Sequence, residues 1–261
     1  MPHVETNGIS TFYTRTGDGP PLVLLHGGEA DHHMFDALTA ELAPHLTVIA
    51  YDQRDCGATR NGSEPYGLDD LADDAAALIA ALGFDRAGVY GTSLGGLIGQ
   101  AVAARHRNRV EKLILGSTWR VGRSPIEVNA NVFRTLAALR TDTATNAPKI
   151  AEYFFAHEFI AARPEVVEIF RGGSRDEGQR ARRGAVALLP AEAPLSGFTA
   201  PTLLLAGSED RLIPPAATFA LQSELPQAEA RTLAGVSHVG AIQAPAQIAA
   251  AILAFFGIGQ V

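Results

Sequence analysis

Five short runs, apolar almost throughout, set the tightest limit on how this chain folds: PLVLL at 21–25, LTVIAY at 46–51, AGVYGT at 87–92, KLILG at 112–116 and TLLLA at 202–206. Each predicts a strand buried on both faces. Strands of that kind need helices on both sides. Helical periodicity falls between them, at Met34 to Ala43, Leu68 to Leu82, Leu94 to Arg105, Pro214 to Leu225 and Pro245 to Phe256. Acids open the Leu68 segment and Gly83 follows its end, as start and stop signals should. A last short strand is expected at Ala230 to Leu233, and Val4 to Thr6, Asn7-Gly8 and Ile9 to Thr14 predict a hairpin at one edge. The alternation implies an α/β fold with a mostly parallel, doubly wound sheet of eight strands.

Between about Val121 and Gly197 the rhythm stops. Amphipathic pieces take over, at Val128 to Arg140, Ala147 to Ala162, Pro164 to Arg171 and Glu177 to Leu188. This predicts a core of residues 1–120 and 198–261 and a helical cap of residues 121–197, inserted after the sixth strand. A cap there would cover the carboxyl edge of the sheet, where ligands gather. The net charge of −7 comes with no long basic run, which argues against a nucleic-acid partner. The single cysteine, Cys56, excludes an internal disulfide and a cysteine-built metal cluster. The start lacks a basic segment leading an apolar one, and no apolar run reaches the ~18 residues of a membrane span. A cytoplasmic protein without a membrane partner is expected. The oligomeric state is left open, a homodimer among the options.

The stretch VYGTSLGGLIG, residues 89–99, rings Ser93 with glycines where a strand passes into a helix. Gly-x-Ser-x-Gly in that context predicts a nucleophile elbow. The serine stands on a strained turn, Gly91 and Gly95 leave room, and the following helix aims its first amides at the same spot. A serine hydroxyl needs a base. Of eight histidines, only His238 lies late, between the last strand and the last helix. His26 is placed to shape a loop. His32 and His33 are read as solvated loop residues rather than metal ligands, and His106 and His157 as surface residues. Gly207-Ser208-Glu209-Asp210 follows the TLLLA strand, and Asp210 is preferred over Glu209 as the acid that orients His238. The oxyanion donors are expected to be the amides of Leu94 and Gly28, with Glu29 as second choice to Gly28. The set calls for no cofactor and no metal.

With these motifs in order, the chain resembles the α/β-hydrolase superfamily over essentially its whole length. The carriers are His26-Gly27-Gly28, Asp52 to Thr59, Gly91 to Gly96, Gly207 to Asp210 and Val236-Ser237-His238. Within the family it is most similar to small capped esterases and lactonases of the 3-oxoadipate enol-lactonase type. That resemblance implies a Ser93–His238–Asp210 triad acting on a small ester or lactone. Open alternatives are amide or carbon–carbon hydrolysis, cofactor-free perhydrolysis, and a low-turnover receptor of the same fold. Serine instead of aspartate argues against dehalogenase and epoxide hydrolase chemistry, and Val239 instead of tryptophan against the carbon–carbon hydrolases. Asp55 and Thr59 stand where the family loop carries glycine and serine. Glu29, Trp119 and Val239 are the candidate pocket residues. Glu29 would repel an anionic substrate unless it turns outward, and Trp119 either walls the acyl pocket or packs under the cap. Asp69 to Asp74 are read as a solvated acidic face. The arginines 171, 175, 180, 182 and 183 are read as a solvated helix face, in preference to a carboxylate clamp.

Overall fold

The computed structural model describes residues 2–173, 175–188, 191–225 and 228–259. Asn7 and Gly8 adopt φ of 50° and 76°, the left-handed pair that a two-residue hairpin turn requires. They join β1 (His3–Thr6) to β2 (Ile9–Thr16). The apolar runs become β3 (Pro21–Leu25), β4 (Thr47–Tyr51), β5 (Ala87–Thr92), β6 (Val110–Gly116) and β7 (Thr202–Gly207), and β8 spans Ala228–Leu233. They form one sheet in the order β1-β2-β4-β3-β5-β6-β7-β8. β1 and β2 pair antiparallel, β2 meets β4 antiparallel, and every other pairing is parallel. The chain leaves β3 toward β4, then returns to β3's other side with β5. Loops after β3 and β5 therefore diverge, and a crevice opens between them at the carboxyl edge.

Helices cover both faces: α1 (Asp36–Leu42), α2 (Leu68–Ala81) and α3 (Leu94–Arg105) before the insertion. The insertion between β6 and β7 carries α4 (Pro125–Leu139), α5 (Thr143–Phe154), α6 (His157–Ala162) and α7 (Glu177–Val186). After β7 come α8 (Pro215–Phe219), α9 (Gly240–Gln243) and α10 (Pro245–Phe256). The insertion and the rest of the chain share one apolar cluster, in which Trp119, Val121, Leu136, Ile150 and Val186 join Leu25, Leu94, Leu97 and Ile213.

Periodicity overran several helix ends. The Met34 helix begins instead as a 3-10 turn at His32–Phe35. The piece from 147 to 162 is two helices, because Phe155 and Ala156 are extended. Apolar residues continue across that break, so the pattern does not register it. Pro148 inside α5 has no N–H for Ala144 O, and Arg171 Nη1 donates to that carbonyl instead, at 2.6 Å. The segment from 214 shortens to α8 and a 3-10 turn at Ala220–Ser223. The turn α9 had no sequence signal.

The centre of the sheet edge is held by backbone touching backbone. A Cβ on Gly91 would lie 2.1 Å from Gly95 O, and one on Gly95 2.0 Å from Leu25 O. Gly62 has open space around it. Gly91→Ala is expected to cost at least the upper end of the roughly 1–3 kcal/mol of overpacking, while Gly62→Ala stays within about 0.5 kcal/mol. Urea unfolding of the two variants checks this.

Candidate active site

Ser93 sits between β5 and α3 at φ 56° and ψ −122°, a conformation that costs a non-glycine residue roughly 1–3 kcal/mol. The surroundings enforce it. Ser93 N–H donates to Gly116 O at 3.0 Å, and Thr118 Oγ1 donates to Ser93 O at 2.8 Å. A Cβ on Gly96 would meet Thr118 Cβ at 2.5 Å, so α3 can press against the loop after β6 only with glycine there. α3 starts at Leu94, whose amide lies in the first turn and has no acceptor within the helix. Gly27 and Gly28 come alongside: a Cβ on Gly27 would be 3.7 Å from Ser93 Cβ, and one on Gly28 3.6 Å from Leu94 Cδ2. The amides of Gly28 and Glu29 donate to no acceptor among the described residues.

His238 and Asp210 meet on the far side of the crevice. His238 Nδ1 lies 3.0 Å from Asp210 Oδ2, and both residues are buried. Asp210 Oδ1 also accepts from the amides of Leu212 and Ile213, at 3.0 and 2.9 Å. A carboxylate only accepts, so Nδ1 carries the proton and Nε2 is left as a base. The loop bearing His238 is pinned from two sides. Gln243 Oε1 accepts from Ser237 N, and Gln243 Nε2 donates to Gly235 O at 2.7 Å. Val239 N–H donates to Phe154 O at 3.0 Å, and the Phe154 ring stands edge-on to the imidazole, 5.6 Å between centroids. Thr92, Ser117, Gly207, Ser237 and His238 wall a common small cavity, so the histidine loop reaches across β7 and β6 to the residue before Ser93. Among the described residues no hydrogen bond joins Ser93 Oγ to His238.

Two pocket candidates take one of the alternatives left open by the sequence, and several other residues depart from their reading. Glu29 turns outward and pairs with Arg140 of the cap at 2.7 Å. Trp119 packs under the cap, its indole N–H donating to Arg123 O at 2.9 Å. Two solvated-face readings hold only in part, since Asp69 and Asp70 are exposed and Asp73 is half-buried while Asp74 is not. Asp74 is buried and pairs with Arg54 at 2.6 Å. Arg183 is buried, Arg182 clasps buried Asp55 with two bonds of 2.8 Å, and Arg175 donates to Asp55 O and Ala30 O. Arg171 and Arg180 stay on the surface beside Glu168 and Arg175 O. His32 is also buried: its amide and Nδ1 both contact Asp52 Oδ1 at 2.8 Å. Asp31, His32 and Asp52 form the one compact group of metal-ligand type among the described residues. His32 and Asp52 bond to each other, Asp52 also accepts from Ala58 N and Asp31 from His33 N, so these bonds brace the first turns after β3 and β4.

His26 is a supporting residue beneath Gly27 and Gly28. Nδ1 donates to Gly27 O at 2.8 Å, and Nε2 accepts from Gln53 N at 3.2 Å. Burial first, and then the Arg183 charge, hold it well below the ordinary imidazole value. It is a neutral imidazole of fixed tautomer, and it holds the turn at Gly27 and Gly28. Its position after an apolar strand was the only sequence signal for that task. Gln243 and Phe154 had none.

A family profile described as alpha/beta hydrolase fold matches residues 20–245. The chain belongs to the α/β-hydrolase family. Among solved members, this hydrolase is similar to a thermophilic esterase from Thermogutta terrifontis, with TM-score 0.83, 27% identity and 98% of each chain covered. It is equally similar to the enol-lactonase of Burkholderia xenovorans LB400, with TM-score 0.83, 26% identity, and 98% and 100% covered. Haloalkane dehalogenase 2 of Mycobacterium tuberculosis is 28% identical over 265 residues, 94% of this chain and 91% of the relative. These names span different chemistries, so the fold alone leaves the substrate open. Among the described residues no helix is long and apolar enough to cross a membrane.

Asp55 gives this hydrolase a pH-dependent clasp. Burial alone would raise its carboxyl, but hydrogen bonds from Arg182, Asn61 and Tyr66 outweigh it, and the group ends below its ordinary value. The pair's stabilisation is then full above the usual carboxylate value near ~4 and is lost as pH falls through the lowered one. Asp55→Asn, which tolerates the positive φ, is expected to lower Tm at pH 7. The difference from wild type should shrink steadily below about pH 4, as read by thermal melts across pH.

Proposed function

We propose that this enzyme is a serine hydrolase that cleaves a carboxylic ester or lactone through an acyl-enzyme. The observation that carries the reading is the pairing of a strained, glycine-flanked Ser93 with the buried His238–Asp210 couple at one sheet edge. Ser93 Oγ attacks the carbonyl carbon while His238 Nε2 takes its proton. The carbonyl oxygen becomes an oxyanion held by the amides of Leu94 and Gly28, each donor being worth roughly 10²–10³ in turnover. His238 then gives the proton to the leaving alkoxide. Water, deprotonated by His238, releases the acid and restores Ser93. Asp210 fixes the imidazole tautomer and stabilises its cation. The separation of Ser93 Oγ from the base in the resting protein is compatible with this, since such bonds tighten in the substrate complex. Residues 121–197 serve as the cap over the crevice.

Ser93→Ala is expected to lose about 10⁴–10⁶-fold in 4-nitrophenyl acetate turnover with an unchanged melt, and Asp210→Asn about 10⁴-fold. A fluorophosphonate probe should label wild type at Ser93 and leave Ser93→Ala unlabelled. Undiminished turnover by Ser93→Ala sinks the assignment, and a wild type that neither labels nor turns over would indicate a receptor.

A further inference from the structure

The two edges of the sheet are finished differently. β1 has four residues and starts directly after Pro2; short strands and prolines close an edge to further pairing. β8 has six residues, no proline and no lysine, and its register against β7 runs unbroken from Ala228 to Leu233. Leu233 O accepts from Ser208 N at 2.9 Å, so Leu233 turns its backbone groups toward β7. The direction alternates along a strand. Arg231 and Glu229 therefore turn the same way, while Ala230 and Thr232 turn their N–H and C=O groups outward. Both of these residues are exposed, and among the described residues their backbone makes no hydrogen bond beyond the sheet.

The side chains on this edge complement a copy of themselves. Glu229 and Arg231 share one face, bonded at 3.3 Å and open to solvent. Ala230 stands between them and puts only a methyl group on the other face. Set against a second β8 running antiparallel, with Ala230 opposite Ala230, each Glu229 stands opposite the second copy's Arg231. Those are the non-hydrogen-bonded positions, where facing side chains come closest. The backbone agrees with this register. Ala230 N–H meets the second copy's Ala230 O, and Thr232 N–H meets its Ala228 O. That last carbonyl takes a 3.3 Å bond from Gln222 Nε2 and keeps a second lone pair. Moving the centre one residue either way sets Glu229 on Glu229 or Arg231 on Arg231, and like charges directly opposite destabilise. One register thus satisfies both the outward amides and the charges.

We infer that β8 is the docking edge for a second copy of this chain, joined antiparallel about Ala230 into one continuous sheet. This is independent of the ester chemistry. Main-chain hydrogen bonds hold the seam, as in other strand additions, and the Glu229–Arg231 pairs fix its register. The pairing also covers an edge that would otherwise recruit other chains. The two sheets run in opposite directions, so their carboxyl edges face opposite ways and the two crevices stay open.

Sedimentation velocity of the wild type at tens of micromolar should give a dimer. Ala230→Pro removes an outward N–H and keeps the bonds to β7, so it should fold, by circular dichroism, and sediment as a monomer. Glu229→Arg and Arg231→Glu each set like charges opposite one another, and each should weaken the dimer about tenfold or more. Mixed together, these two variants bring an all-positive edge to an all-negative one and should form a heterodimer tighter than either homodimer. The double variant Glu229→Arg/Arg231→Glu should dimerise as the wild type does. A wild type that stays monomeric, its edge left to another protein's strand, overturns the inference. So does a dimer that the single charge variants leave untouched, or a mixture no tighter than its components. If Ala230→Pro does not fold, the charge variants, altered only at exposed side chains, still decide it.

Discussion

The structure depends on one contact, the meeting of β3, β5 and α3 with no side chain between them. Gly91 and Gly95 allow it. Once these backbones touch, Ser93 has one way to pass from strand to helix, at positive φ. The same closeness sets Gly27 and Gly28 against Ser93 and Leu94. Exposure of the hydroxyl and convergence of the loop amides thus follow from a single steric fact. Gly207 does the equivalent work two strands away. A Cβ there would lie 2.1 Å from Val236 O, so the acid and base loops run in contact. Strain at Ser93 is affordable because the strands around it are buried almost completely.

Burying so much leaves the polar groups at this edge dependent on one another. Asp210 accepts three N–H groups, Asp52 ties the amides of His32 and Ala58, and His26 uses both ring nitrogens. A buried group left half-satisfied destabilises, so such networks fix a unique geometry. Thr59 belongs here too: its hydroxyl donates to Asp52 O at 2.6 Å and accepts from Phe12 N at 2.9 Å. The departure from the family's serine keeps the hydroxyl and therefore the bond.

Much of this was legible in the sequence, for local reasons. Strands covered on both faces must be apolar almost throughout, and β3, β4, β5 and β7 are, with one threonine each in the last three. Glycines at close contacts leave a visible pattern, which marked Ser93. The loops after β7 and β8 pointed to Asp210 and His238 because their place in the order fixes which edge they reach. Long-range charge pairing left no such trace. Arg182 and Arg183 sit in a run that resembles any solvated helix, and only their partners, over a hundred residues earlier, show that Arg182 is half-buried and Arg183 buried. Asp55 was visible as a departure from glycine, but its reason was not. It keeps the left-handed backbone at φ 58°, which Asp tolerates better than most side chains, and adds a carboxylate for Arg182.

The placement of those cations ties the cap to the chemistry. Arg140 holds Glu29, Arg175 holds Ala30 O and Asp55 O, and Arg183 holds Gly27 O and Gly28 O. All three reach from the insertion into the loops that follow β3 and β4. The carbonyl of Gly28 and the amide expected to meet the oxyanion belong to one residue, so a pull on the first turns the second. The insertion is thus fastened by polar bonds to the loop after β3, beyond the apolar cluster it shares with the sheet. A movement of the helix that bears Arg183 therefore carries the Gly27 and Gly28 carbonyls with it. Such bonds let a common fold acquire a local geometry of its own while its sheet stays as it is.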